Sequence, residues 1–132
     1  MLASIKKKWL AALRSGKIKQ GHTQLVTRTA GGETAFCCLG VLATIVDPAR
    51  ATGWCNSDGY FADIAPGFDF APASAEIVRK GQAQLALLGK GGLGAVKAHR
   101  LANLNDGYVD KNGKKQPPRS FKYIAAYIDR YV

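Results

Sequence analysis

The sequence predicts a small α+β fold that is mostly helical and includes a short antiparallel hairpin. Apolar residues recur at helical spacing near both ends of the chain, which predicts a helix at each end. After the first of these, a run of strand-forming residues precedes the pair Gly31-Gly32, which is typical of a hairpin turn. The 132 residues can bury one hydrophobic core, so we expect a single domain over residues 1–132.

The first third of the chain predicts a helix and then the hairpin. Apolar side chains keep helical spacing through residues 3–15, and Gly16 follows where a glycine commonly ends a helix. Residues 24–29 are rich in strand formers, and Gly31-Gly32 would turn the chain back through residues 34–36. We therefore expect two short antiparallel strands after the first helix.

The middle of the chain predicts a central helix and a turn-rich segment. Residues 38–45 are apolar on every side, which favours a short buried helix that ends at Asp47-Pro48. Residues 49–72 interleave aromatic residues with Gly, Asp and Pro, as in short strands or an ordered loop. A short helix is expected over residues 72–81, while residues 84–88 fit either a strand or a helix.

The last third of the chain predicts two helices around a turn. The first helix covers residues 96–105, and the turn is placed at Asn112-Gly113. Pro117-Pro118 exclude a central strand in this segment, because proline has no N–H to donate to a sheet. Ser120 is a good N-cap for the final helix. The apolar stripe of that helix consists of Phe121, Ile124, Ala125 and Ile128.

Composition narrows the class of protein. A hydrophobic fraction of 47% with 21% charged residues is typical of a folded globular chain rather than a disordered one. The longest apolar run, residues 35–46, is well short of the roughly 20 residues that a transmembrane helix needs. Three cysteines are an odd number, and no stretch has the pattern of a signal peptide. We expect a reducing cytoplasm and no membrane contact.

The net charge of +10 is distributed unevenly along the chain. Residues 1–28 hold seven basic groups and no acidic one, and residues 46–76 hold five acidic groups against one basic group. From Arg79 onward, eleven basic groups stand against three acidic ones. If the two ends fold together, they form one positive face that attracts phosphate-bearing partners. The alternative is a solvated surface that serves solubility.

The adjacent residues Cys37 and Cys38 have two interpretations. Free cysteine often packs as a small buried hydrophobe, whereas a thiol at a helix N-terminus has a lowered pKa and is reactive. A cysteine-dependent enzyme also needs a base, and only His22 and His99 are available. We favour packing, in which Cys37, Cys38 and Gly40 let the first and last helices approach the central one closely.

Metal and nucleotide motifs are weak in this chain. The three cysteines, which include Cys55, lack the Cys-x₂₋₄-Cys spacing of a zinc site, so we expect no metal and no cofactor. Residues 89–94 match G-x-G-x-x-G, but no βαβ unit surrounds them. A flexible linker, or a local phosphate-contacting loop that contains Lys90, remains open for this segment.

Leu104-Asn105-Asp106-Gly107 also has two interpretations. One is a helix C-terminal turn, in which Asn and Asp bond to nearby backbone. The other is a ligand site, in which Asn105 and Asp106 contact a base or ribose while basic residues neutralise phosphates. The predicted ligand-binding residues, which supply charge, amide or stacking groups, are Arg14, Lys17, Lys19, Gln20, Trp54, Asn105 and Asp106.

Five short pieces of sequence carry a resemblance to a known family. They are Trp9-x-x-Ala-Leu-Arg-Ser-Gly-Lys, Gln20-Gly21, Phe36-Cys-Cys-Leu-Gly-Val-Leu, Leu104-Asn-Asp and Ser120-Phe-x-x-Ile-Ala-x-Tyr-Ile. Together they resemble a widespread group of small proteins encoded by tailed bacteriophages and prophages. Members often have a third cysteine soon after the Val-Leu pair, where this chain has Ala43. The resemblance implies a phage origin and the host cytoplasm, and it brings no established catalytic residues.

These observations predict a non-catalytic phage accessory protein. It would bind a host protein or a small anionic ligand, and by analogy it would sequester a nucleotide signal used in antiviral defence. One alternative is a nucleic-acid-binding module that uses the basic ends of the chain. A second alternative is a cysteine-dependent enzyme. The sequence leaves the oligomeric state open.

Overall fold

Helix and strand ends follow local sequence signals in the computed structural model, which describes residues 1–28, 30–48 and 86–132. The predicted α+β class is confirmed, because the described residues form helices and two short antiparallel hairpins. The elements are α1 (Ala3–Arg14), β1 (Val26–Arg28), β2 (Thr34–Phe36), α2 (Cys38–Val46), α3 (Ala95–Asp106), β3 (Tyr108–Val109), β4 (Lys115–Gln116) and α4 (Phe121–Tyr131). Residues 86–90 are helical as well. The predictions for residues 49–72 and 72–81 lie outside the described residues.

The amphipathic helix α1 forms because its apolar residues return to one face. It buries Trp9, Leu10 and Leu13. The indole N–H of Trp9 donates to the carbonyl oxygen of Cys38 at 2.8 Å, which satisfies the polar end of a fully buried side chain. The helix ends as predicted, with Gly16 just past it at a φ of +68°.

The first hairpin places the segment before it beside the start of α2. Strands β1 and β2 pair antiparallel as predicted, with Val26 opposite Phe36. Residues 19–21 run along the far end of β2, because Gly21 N–H donates to Phe36 O at 2.8 Å and Phe36 N–H donates to Lys19 O at 2.9 Å. Gln20 is therefore held close to the point where α2 begins.

Helix α2 is the centre of the fold, and residues 38–43 are all buried. Gly40 is required there, although not for the predicted reason. A Cβ at Gly40 would collide with the backbone carbonyl of Leu25, the residue just before β1. The absence of a side chain at Gly40 therefore lets this backbone, rather than the first or last helix, lie against α2 at this point. The partner of Gly40 itself is thus Leu25, while the predicted approach of the first helix is present at Cys38, whose carbonyl oxygen accepts from Trp9 of α1.

The glycine-rich segment 89–94 is an ordered helix end. Leu93 N–H donates to Leu88 O at 3.2 Å, and Gly92 N–H donates to Gly89 O at 2.9 Å. These two bonds, with Gly92 at a φ of +81°, form a Schellman motif. These two N–H groups bond to helix carbonyls and therefore do not cradle a phosphate, while the two roles predicted for the segment, a linker or a loop whose Lys90 contacts phosphate, stay predictions.

A second hairpin joins α3 to α4, and the sequence predicts only its turn. The turn at Asn112-Gly113 is present, and the Asp110 carboxylate accepts from Asn112 N–H at 2.9 Å. Strands β3 and β4 are two residues each, and their pairing ends before Pro117. Proline therefore limits this hairpin rather than preventing it.

The helices pack around one core. Helix α1 packs against α2 and α4, and α3 packs against the same two helices. Ser120 caps α4 as predicted, and the stripe of Phe121, Ile124, Ala125 and Ile128 is buried. Lys6 Nζ donates to Asp129 O at 3.0 Å across the α1–α4 contact, so the two basic ends of the chain do meet. No helix within the described ranges is long and apolar enough to cross a bilayer.

Candidate functional site

A buried polar junction forms where four pieces of the quoted motifs meet, and Asn105 is its centre. Asn105 is fully buried near the end of α3. Its Oδ1 accepts from Cys38 N–H at 3.1 Å and from Gln20 Nε2 at 3.2 Å. Its Nδ2 donates to Gly21 O at 2.8 Å and to Asp106 Oδ1 at 2.7 Å. Every hydrogen-bonding position of this amide is thus used inside the protein.

Gln20 extends the junction to the final helix. Its Nε2 also donates to the carbonyl oxygen of Arg119 at 2.8 Å, and its Oε1 accepts from Phe121 N–H at 3.0 Å. Phe121 and Cys38 are the first residues of α4 and α2, whose first N–H groups have no partner within a helix. Two side-chain amides therefore cap the N-termini of two helices that are far apart in sequence.

The junction reaches solvent at His22 and Asp106. His22 Nδ1 bonds to the carbonyl oxygen of Asn105 at 2.8 Å, so Nδ1 carries the proton. Asp106 Oδ1 accepts from Thr23 N–H at 2.9 Å, and Thr23 has a φ of +66°, which is costly for a β-branched residue. The side chains of His22 and Asp106 are 47% and 25% exposed, so this edge is the accessible part of the junction.

The predicted ligand-binding residues are thus brought together only in part. Gln20, Asn105 and Asp106 are neighbours, as a common site requires, but the amides of Gln20 and Asn105 bond the protein itself. Helix α3 does end here, with Gly107 at a φ of +83°, but the side chains of Asn105 and Asp106 bond to backbone that is distant in sequence and not to the nearby backbone that the helix-end interpretation predicts. A ligand that bound these amides would have to displace those bonds. Trp54 lies outside the described residues.

The basic residues that were predicted to neutralise phosphates are exposed, and those that form ion pairs do so with different parts of the protein. Arg14 forms an ion pair with Asp129 at 2.8 Å, and Lys19 forms one with Glu33 at 2.6 Å. Each basic partner lowers the pKa of its carboxyl through that hydrogen bond. Lys17 is exposed. The pairs tie Arg14 to α4 and Lys19 to the first hairpin, so no shared contact gathers the three residues.

The two thiols are buried and protonated at neutral pH. Cys37 is the N-cap of α2, and its Sγ accepts from Gly40 N–H at 3.3 Å. Burial nevertheless raises the pKa of the Cys37 thiol to about 12, and it raises the pKa of Cys38 well above its usual value. Cys38 Sγ contacts the carbonyl oxygen of Leu101 at 3.5 Å. Desolvation therefore outweighs the helix N-terminus, which agrees with packing.

A second surface was missed by the sequence reasoning. Tyr123, Tyr127 and Tyr131 are spaced at i, i+4 and i+8 on α4, and this spacing was visible in the sequence. An arginine guanidinium lies over each ring: Arg119 over Tyr123 at 5.2 Å, Arg100 over Tyr127 at 5.8 Å and Arg130 over Tyr131 at 5.4 Å. We call these six residues the tyrosine–arginine face.

The described residues were also compared with the requirements of a metal site, and the whole chain with known protein families. Among residues 1–28, 30–48 and 86–132, no group of three or more His, Cys, Asp or Glu side chains is placed to hold a metal ion. A family model described as a domain of unknown function, DUF8296, matches residues 1–132. No curated protein and no solved structure matches the chain.

Proposed function

We propose that this chain, which belongs to the DUF8296 family, is a non-catalytic phage accessory protein that binds nucleic acid in the host cytoplasm. The observation that carries the proposal is the excess of positive charge among the residues that the structure describes. In the described residues, sixteen Lys or Arg residues stand against five Asp or Glu residues. A nucleic-acid backbone offers one negative charge per nucleotide, and phosphate contacts dominate such binding.

The arrangement of the basic segments supports one binding surface. Helix α1 carries Lys7 and Lys8 exposed, and α4 carries Lys122 and Arg130 exposed. The two helices pack against each other, and the Arg14–Asp129 pair joins them. The acidic groups in this region are few, so the summed field of the two helices is positive and attracts a polyanion.

The hydrogen bonds of the buried polar junction favour a nucleic-acid polymer over a small nucleotide as the ligand. The predicted recognition of a nucleotide signal relies on the amides of Gln20 and Asn105, and both are engaged with the protein's own backbone. Sequestration of such a signal stays a prediction. The proposal of non-catalytic binding is supported by the raised pKa of both described thiols, since the thiolate is the nucleophile in cysteine chemistry.

Salt dependence tests the proposal. Affinity for labelled DNA and RNA is measured from about 50 to about 200 mM salt, and log K should fall linearly with log salt concentration. A parallel thermal-shift panel uses cyclic and linear nucleotides, where a ligand at about 100 times its Kd stabilises by about 2.7 kcal/mol. Absence of DNA and RNA binding at low salt overturns the proposal, as does a shift with a small nucleotide alone.

A further inference from the structure

We propose that the tyrosine–arginine face is a binding platform for single-stranded nucleic acid. In this arrangement, unpaired bases stack on the tyrosine rings while the arginines contact phosphates or the bases themselves. This inference rests on the proposed function and names both the form of nucleic acid and the residues that recognise it. None of these six residues belongs to the predicted ligand site.

Two of the three tyrosines, Tyr123 and Tyr131, are exposed on a well-anchored helix, and Tyr127 between them is partly buried against the core. Tyr123 is 49% exposed and Tyr131 is 55% exposed, so about half of each side chain is accessible to a ligand. The opposite side of α4 is fixed by Ile124 and Ile128, which are fully buried. A row of rings held by such a helix loses little conformational freedom when a base stacks on it, which favours binding.

The arginines bring their charge to the rings rather than to carboxylates. No ion pair in the part of the chain that the structure describes involves Arg100, Arg119 or Arg130. Asp129, which directly precedes Arg130, is directed to α1, where it bonds to Arg14. Guanidinium groups over aromatic rings are held by cation–π attraction, and they keep their donors available for phosphate.

The spacing of the rings favours a single strand over a duplex. Residues four apart on a helix rise by about 6 Å, whereas stacked bases in one strand of a duplex are about 3.4 Å apart. A duplex also covers both faces of each base, and only an unpaired base can offer a face to a ring. The Tyr127 and Tyr131 rings are 4.8 Å apart and tilted by 43°, so bases stack outside this pair rather than between its rings.

A shallow pocket lies next to the tyrosine–arginine face, shares Arg100 with it and is too small to enclose a ligand. A pocket of about 80 Å³ beside Arg100 is lined by Asn103, Leu104 and Tyr108 as well. Small-molecule pockets are commonly about 300 Å³ or larger, so this depression does not enclose a nucleotide. Arg100 belongs to both the pocket and the face, and Asn103 adds an amide beside it for contact with a strand.

The test compares a single strand with its duplex and removes the two most exposed rings. Anisotropy is measured on labelled oligonucleotides of about 16 nucleotides, with the 132-residue protein as wild type and as Tyr123→Ala/Tyr131→Ala. We expect the wild type to prefer the single strand, and the variant to lose about 5- to 150-fold in affinity per ring, the range of base–aromatic stacking. The duplex affinity should change much less.

Two controls separate stacking from charge and folding. Tyr123→Phe/Tyr131→Phe keeps the aromatic faces and should bind like the wild type. Lys111→Ala removes one exposed charge from the second hairpin and should leave the single-strand preference intact. Circular dichroism confirms that each variant is folded. This inference alone is overturned if the wild type binds the single strand and the duplex with equal affinity. It is also overturned if the alanine variant binds the single strand as well as the wild type does. Failure of the wild type to bind either form overturns the proposed function.

Discussion

Replacement of Asn105 is the sharpest test of the polar junction. Asn105→Ala removes the acceptor of the buried Cys38 N–H and the donor to the buried carbonyl of Gly21. A buried polar group left without a partner costs about 1–3 kcal/mol, so two such groups cost about 2–6 kcal/mol. Small domains are stable by only about 5–15 kcal/mol, so this loss is a large fraction of the total.

The charged analogue gives the same experiment a pH dependence. Asn105→Asp keeps the size and an acceptor oxygen, but it loses both donated bonds and places a second carboxylate beside Asp106. Burial and that neighbour raise the pKa of the introduced carboxyl in the folded state. A raised folded pKa means that stability is lost as pH rises from the unfolded pKa of about 4 through the folded pKa, so the deficit relative to wild type should be smallest below about pH 4 and should grow above it.

Urea unfolding monitored by circular dichroism measures both variants, with the free energy of unfolding taken from the midpoint and the slope. Asn103→Ala is the matched control on the same helix, because the Asn103 amide makes one long contact, to His99 at 3.5 Å. If Asn105→Ala lowers the free energy of unfolding by less than about 1 kcal/mol, the junction does not hold the helix ends as described.

Three further predictions concern the core and the α1–α4 contact. Gly40→Ala should destabilise by about 3 kcal/mol or more in urea unfolding, because its methyl group collides with the backbone of Leu25. The Cys37-Cys38 pair should resist iodoacetamide at neutral pH and react once urea is added, as mass spectrometry would show, because burial raises the pKa of both thiols. Arg14→Gln should be less stable than the wild type at neutral pH, because Arg14 lowers the pKa of Asp129 in the folded state. That difference should disappear as pH falls through the lowered pKa of Asp129, which urea titrations at several pH values would measure.

Each of these predictions has its own control. Gly94→Ala places a methyl group in open space and should leave stability nearly unchanged, so an equal loss at both glycines contradicts the steric argument. Alkylation is measured with Cys55→Ser, and rapid labelling of the folded protein contradicts the burial of the thiols. For the Arg14 variant, a stability difference that persists at acid pH contradicts its assignment to the ion pair.

The local elements were predictable because short-range physics decides them. Helical spacing and a Ser120 cap define α4, and a glycine at position 16 ends α1, as the sequence predicts. The first hairpin follows from strand formers around Gly31-Gly32. Such signals act within a few residues, so the tertiary structure adds little to them. The second hairpin was missed because its strands are only two residues long.

The candidate site was predictable in its membership and not in its role. Gln20, Asn105 and Asp106 are among the ligand-binding residues that the sequence predicts, and the structure places these three together. Their use depends on partners such as Cys38 and Phe121, which lie 67 residues from Asn105 and 101 residues from Gln20 respectively. No local pattern states that an amide will meet a distant helix end.

The sequence alone determined the helices α1 to α4, the first hairpin, the Ser120 cap and the excess of positive charge, because each depends on residue type and near neighbours. Only the tertiary structure decided which polar groups are satisfied internally and which remain on the surface. Burial raises the pKa of the thiols, and the amide of Asn105 is buried and bonded within the protein. The packing of α3 against α4 places Arg100 over the ring of Tyr127. Those outcomes depend on solvent exclusion and long-range contact, which the chain acquires when it folds.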